Sequence, residues 1–259
     1  MKQGPIPSLT GRSAAAAPLP GVRLAPAAQP GTWPSRAIWA GLAEDASDPN
    51  PFFERWFLAP GLAHLGRTAR ADLLLVEAEG RLVGLMPMIR RMRYYGRPLP
   101  HLASWLHDNA FCGAPLIRRG FEEPFWHALL DWADHHAGTA LFLHLSHIPA
   151  DSAGFAALDD VLARTGRPAA VVQREERALL RSDLVPEDYF AQSMSAKKRK
   201  ELRRQHNRLA EEGTLAFERL EHGDALDRWI DDYLALEARG WKGLDGSALA
   251  QHPANAALF

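Results

Sequence analysis

Glu237, Trp241, Lys242 and Gly243 stand close together where an apolar helical repeat gives out. A carboxylate there can take a proton and a lysine can hold an anionic group, and element ends are where ligand contacts concentrate. The alternative is packing, with Trp241 lying over the helix end and Lys242 snorkelling across it. A second group is His107, Asp108, Asn109 and Cys112. A Cys–His nucleophile needs spatial adjacency and a lowered thiol pKa. A lone cysteine amid Phe111, Gly113 and Ala114 reads as buried packing instead. His107 and Asp108 are kept as residues lining a cleft between domains. A third group is the run of seven Lys/Arg from Lys197 to Arg208, interrupted by a single acid, Glu201. The ordinary behaviour of such a run is a solvated helix face. The alternatives are a surface that attracts phosphates or an anionic substrate, and, less favoured, a nucleic-acid contact. His135, His136, His144 and His147 do not make a metal motif, because no His-Glu-x-x-His or paired cysteines accompany them. No metal is expected.

The elements that must position these residues can be read from pattern. Residues 1–32 are rich in Pro, Ala and Gly and poor in large side chains, so they read as a disordered leader. Pro51–Leu58 suits a short helix. Asp72–Ile89 is two apolar runs around Glu79-Gly80, a β-hairpin. Short strands follow at His101–Trp105 and Ala114–Ile117. A helix is predicted over Pro124–His136, a strand buried on both faces over Ala140–Leu145, and a helix over Asp151–Thr165 ending at Gly166. Ala169–Gln173 and Ala178–Leu180 are candidate strands. A second unit then opens with a short helix at Pro186–Phe190 and a Ser195-capped basic helix. Thr214–Leu220 reads as a strand, and a helix capped by Asp224 gathers Leu226, Trp229, Ile230, Tyr233 and Leu234 on one apolar face. Trp241-Lys242-Gly243 is placed in a loop, and Pro253–Phe259 starts another helical pattern. The fold class is mixed α/β, with boundaries at 1–32, 33–182 and 183–259. The second unit shows one strand for several apolar helix faces, so it is expected to be incomplete within this chain.

Composition bounds the partners. Of 259 residues, 47% are hydrophobic and 24% charged, which allows a sizeable core. The net charge of −1 removes any global electrostatic case for nucleic acid or membrane. The single cysteine excludes a disulfide within the chain, and no apolar stretch approaches a membrane span. The expected location is the cytoplasm. No feature points to an oligomeric state.

Three passages together resemble a known family. Asn50–Leu58 with the Glu79–Met86 hairpin resembles the first domain of CelD-type acetyltransferases, proteins associated with cellulose and polysaccharide biosynthesis. Ser195–Arg204, with Arg208-Leu209 and Glu212-Gly213, resembles the opening helix of their catalytic domain, and Leu236–Leu249 resembles the signature after it. Fem-type peptidyltransferases share the tandem layout of two GNAT-like folds. The resemblance covers residues 33–259 and implies tandem GNAT-like domains, the first non-catalytic and the second truncated before its acyl-CoA pocket, leaving this chain inactive alone. It implies direct transfer of an acyl group, most simply acetyl, from acyl-CoA to an amine of a small molecule or glycan precursor. Glu237 would be the base, Trp241, Lys242, Gly243, His107 and Asp108 would bind substrate, and Lys197 and Arg199 would meet CoA phosphates. The alternatives are a Fem-type transferase, for which tRNA becomes a partner, and a non-catalytic scaffold that retains the fold.

Overall fold

The computed structural model describes residues 20–66, 70–178, 180–221 and 223–259. The chain divides into two compact units, one formed by Met1–Pro168 with Glu237–Phe259 and the other by Ala169–Leu236. These units part at 168/169 and 236/237.

The first unit is organised by the hairpin that the sequence announces. Strands β2 (Asp72–Ala78) and β3 (Arg81–Arg91) are antiparallel. Glu79 and Gly80 between them both have positive φ, 51° and 73°, the backbone of the two-residue turn whose twist matches a hairpin. A register shift between Val76 and Glu77 leaves Val83 as the extra residue of a bulge. Strand β1 (Gly21–Pro26) pairs antiparallel with β2, and β4 (His101–Ser104) with β3. The short β5 (Leu116–Ile117) also pairs with β3, and β6 (Leu143–His144) joins β4 in parallel. The sheet is therefore mixed, in the order β1-β2-β3-β4-β6 with β5 beside β3.

Helices flank this sheet and supply its bulk. In α1 (Arg36–Glu44) the Ser35 hydroxyl accepts the Ile38 N–H at 3.3 Å, and the buried residues are Trp39 and Leu42. The Trp39 indole donates to the Phe53 carbonyl at 2.8 Å, satisfying the polar end of a fully buried ring. Helix α2 (Arg55–Gly61) contains Pro60, whose missing N–H removes a helical hydrogen bond, and the chain passes directly into a π turn at Leu62–Gly66. Helix α3 (Glu122–His136) buries Phe125, Trp126, Leu129, Trp132 and Ala133 among others, with acids in its first turn and histidines in its last, both favourable to the helix dipole. Gly84 brings α3 down onto β3: a Cβ there would stand 2.2 Å from Cδ2 of Phe125. Helix α4 (Ala153–Thr165) is capped by Ser152 and by the Asp48 carboxylate, which accepts the Ala153 and Gly154 N–H groups at 3.0 and 2.7 Å. It ends at Gly166 with φ 64°, as the glycine predicts.

In the second unit α5 (Pro186–Ser193) and α6 (Ala196–Glu211) form where the sequence put helices. The Ser195 hydroxyl caps α6 by accepting the Lys198 N–H at 3.3 Å. Helix α7 (Leu226–Arg239) starts in this unit, and its last turn, from Glu237, belongs to the first unit. Its apolar face is open, with Leu226, Trp229 and Tyr233 at least 40% exposed. After it come α8 (Trp241–Leu244), a 3-10 turn at Leu249–Gln251 and α9 (Pro253–Leu258), which packs on α2 and the π turn.

Five expectations need correction. Residues 21–26 of the supposed leader are a strand, because β1 is held by its backbone ladder to β2 and by Arg23 on Glu77 at 2.9 Å rather than by large side chains. The earlier part, residues 1–19, lies outside the described residues. The strand over 140–145 shrinks to Leu143–His144, and Leu141 is 66% exposed, so the run is not buried on both faces. Residues 169–173 form no strand, nor do Ala178 and Leu180 (179 lies outside the described residues). Residues 214–220 are also not a strand: Phe217 is 86% exposed, and among the described residues no neighbouring strand offers a ladder. Trp241–Gly243 is a helical turn rather than a loop, started by Gly240.

Candidate functional site

Two of the three residue groups singled out by sequence are built inside the first unit. The first is the Glu237–Gly243 passage. The last turn of α7 presents Glu237, whose side chain is only 6% exposed. One carboxylate oxygen takes Lys242 Nζ at 2.5 Å and the other accepts the Leu249 N–H at 2.8 Å. Lys242, and after it the Leu249 amide, hold the Glu237 carboxyl below the ordinary carboxylate range. Gly243 is required for a steric reason: a Cβ there would lie 1.8 Å from the backbone oxygen of Ala238, which cannot move aside. The segment is then tied further. The Ser247 and Ala248 amides donate to the Lys242 carbonyl at 2.9 and 3.2 Å, and the Gln251 side chain donates to the Gly243 carbonyl at 2.9 Å. Ala248 is completely buried. Trp241 is left outside the knot, 68% exposed.

The second group sits on the loop after β4. His107 stacks on Phe57 of α2, with ring centroids 5.4 Å apart and an interplanar angle of 16°, and lies beside Trp105. Its Nδ1 accepts the Asn109 N–H at 3.3 Å, which places the proton of the neutral ring on Nε2. Nε2 is buried without a hydrogen-bond partner among the described residues, against Gly61 at the end of α2. Burial lowers the pKa of His107, and the neighbouring Asp108 charge offsets part of that. Asp108 is exposed. Cys112 is half-buried.

The residue that sets this loop was missed from sequence. Asn50, 1% exposed, donates through Nδ2 to the carbonyls of Cys112 and Ala114 at 3.2 and 2.7 Å, while its Oδ1 accepts the Phe52 N–H at 3.1 Å. The Asn50-Pro51 pair carries the signal, since Asn before Pro favours a turn closed by the side chain.

The third group lies in the second unit. On α6 Lys197 is exposed, whereas Arg199 is engaged: its guanidinium donates to the Ala191 carbonyl at 2.9 Å and to that of Met194, closing the end of α5. Arg204 pairs with Glu201 at 2.7 Å. A shallow groove of about 610 Å³ at the far end of α6 is lined by His206, Phe217 and the carboxylate residues Glu211 and Glu212, a lining unsuited to phosphate. Among the described residues no cluster of three or more His, Cys, Asp or Glu could hold a metal ion, and no helix is long and apolar enough to cross a membrane.

Comparison with known proteins bears on the last part of the chain. No curated protein matches it. A ribosomal-protein-alanine N-acetyltransferase from Brucella melitensis biovar Abortus 2308 is similar in structure at 15% identity and a TM-score of 0.31, covering 61% of this chain and 98% of that one. The family model described as an acetyltransferase (GNAT) domain matches residues 196–259. That stretch holds both the basic helix α6 and the Glu237–Gly243 knot, so the part of the chain richest in candidate chemistry is the part that resembles a GNAT acetyltransferase domain.

Proposed function

We propose that this protein is an N-acyltransferase that moves an acyl group, most simply acetyl, from acyl-CoA to an amine. The observation that carries the reading is the coincidence of the acetyltransferase-domain match with the hydrogen-bonded knot around Glu237, Lys242 and Gly243. In such a transfer the neutral amine attacks the thioester carbonyl, a tetrahedral oxyanion forms, and the CoA thiolate leaves as the amine gives up its proton. The exposed Trp241 ring offers a face for a bound ligand. His107, whose pKa burial lowers, and Asp108 are proposed as residues on the acceptor side. Lys197 is proposed to attract CoA phosphates; Arg199, committed to backbone carbonyls, contributes to fold instead. A role in polysaccharide or cell-envelope synthesis rests on the resemblance of Asn50–Leu58 and Leu236–Leu249 alone.

The test is calorimetric titration with acetyl-CoA, followed by amine-dependent appearance of the CoA thiol across small amines and amino sugars. Saturable binding and thiol release would support the acyl-CoA reading and overturn the expectation that this chain is inactive alone. A flat titration up to millimolar acetyl-CoA removes the acyl-CoA reading and leaves the scaffold alternative.

A further inference from the structure

We infer that Glu237 is a positioning residue, the clasp that closes residues 241–249 and holds Trp241 outward, and is not the group that receives the acceptor's proton. The activity arm of this inference rests on the acyl-transfer reading; its structural arm does not.

The geometry supports the assignment at each atom. A general base needs a free oxygen within reach of the proton it takes. Each Glu237 oxygen already accepts one bond, from Lys242 Nζ and from the Leu249 N–H, and the side chain is almost wholly screened from solvent, which keeps its remaining lone pairs from an incoming amine. These two bonds bridge five and twelve residues of sequence, so together they bind the start and the end of one segment to the last turn of α7. The remaining bonds of the segment run the same way. The Lys242 carbonyl takes the Ser247 and Ala248 amides, Gln251 reaches back to Gly243, and His252 meets the Gly246 carbonyl at 3.0 Å. Gly243 lets the turn close by backbone contact with Ala238, where any side chain would force it open. Trp241 and Leu244 are the large apolar side chains of this segment that the knot leaves exposed, and of the two only Trp241 offers an aromatic face. Lys242 is likewise committed to the clasp, so its charge is balanced within the knot and does not stand ready for an anionic substrate.

Glu237→Gln and Glu237→Ala in the whole chain separate the readings. The Gln side chain keeps an oxygen for the Leu249 N–H; the Ala side chain keeps neither contact. Hydrogen exchange at the Leu249 amide is expected to speed up about tenfold or more in Glu237→Ala and to stay within about threefold in Glu237→Gln. Turnover with acetyl-CoA and an amine is expected to survive in Glu237→Gln, with KM raised more than kcat falls and the acidic limb of the pH profile unmoved. A general base would instead cost about 10²–10⁴ in kcat in both variants and abolish that limb. Unchanged Leu249 exchange in Glu237→Ala, or a kcat loss of that size in Glu237→Gln, overturns the clasp. If the unaltered protein shows no turnover, the acyl-transfer reading fails on its own, and the Leu249 amide still decides the clasp.

Discussion

Gly84→Ala is the sharpest single probe of how the first unit is packed. A Cβ built on Gly84 stands 2.2 Å from Cδ2 and 2.6 Å from Cε2 of Phe125. Ordinary contact begins near 3.4 Å, so ring and strand must separate by at least 3.4 − 2.2 = 1.2 Å. Phe125 is 0% exposed and has no open space to turn into, so α3 itself must lift from β3. Forcing a methyl into a packed core costs about 1–3 kcal/mol, and replacing Gly by Ala in a strand returns about 0.5–1 kcal/mol of backbone entropy. The net loss is about 1–2 kcal/mol. For a chain of this size that lowers the melting temperature by about 2–8 °C, read by tryptophan fluorescence during heating, with urea unfolding as a check. Phe125→Leu, which removes the clashing ring edge, should make Gly84→Ala less costly in its background by about 1 kcal/mol. A Gly84→Ala protein that melts within about 1 °C of the parent, or an unchanged cost in the Phe125→Leu background, refutes the close approach of α3 to β3.

Other perturbations act at the candidate site. Asn50→Ala leaves the buried carbonyls of Cys112 and Ala114 without a donor, and should cost about 1–3 kcal/mol in urea unfolding while accelerating proteolysis in the 107–114 loop. Gly243→Ala should open the 241–249 segment, seen as faster Leu249 amide exchange with little change in the melting of the sheet. His107 has a folded pKa below its unfolded value, so its contribution is present above about pH 6.5 and is lost as pH falls below that. Stability should therefore decline from pH 7 to pH 5, and His107→Phe should make the decline shallower; His144, whose pKa burial also lowers, contributes to the slope that remains. Lys197→Gln should leave melting unchanged and weaken acetyl-CoA binding several-fold, in a salt-dependent way. Equal affinity in calorimetry removes Lys197 from the phosphate contact.

The parts of the fold that were legible in sequence are those decided locally. Gly80 supplies a positive φ for the turn at Glu79-Gly80, Gly166 ends α4, and Ser195 caps α6. What was not legible depends on partners distant in the chain. β1 hides among small residues because its stability comes from pairing with β2, some fifty residues later. Ala140–Leu145 looks like a core strand, yet only two of its residues find a neighbour in β4. The site behaved likewise. Glu-x-x-x-Trp-Lys-Gly drew attention by composition, but its part in holding the segment depends on Leu249 and Ala238, which no local pattern connects to Glu237. Asn50 and Asp48 owe their roles to partners distant in the chain, and only the folded backbone shows which amides and carbonyls they hold.

The path of the chain through its two units has a consequence for damage and division. It leaves the sheet-bearing unit at Pro168 and returns to it at Glu237, so the intervening residues are an excursion from a body whose last piece arrives afterwards. A proteolytic nick or an early stop in that excursion injures more than the stretch it strikes. It deprives the sheet unit of the helix that rests on α2 and of the fully enclosed Ala248, so the front and back of the chain share one fate even though the break falls in neither.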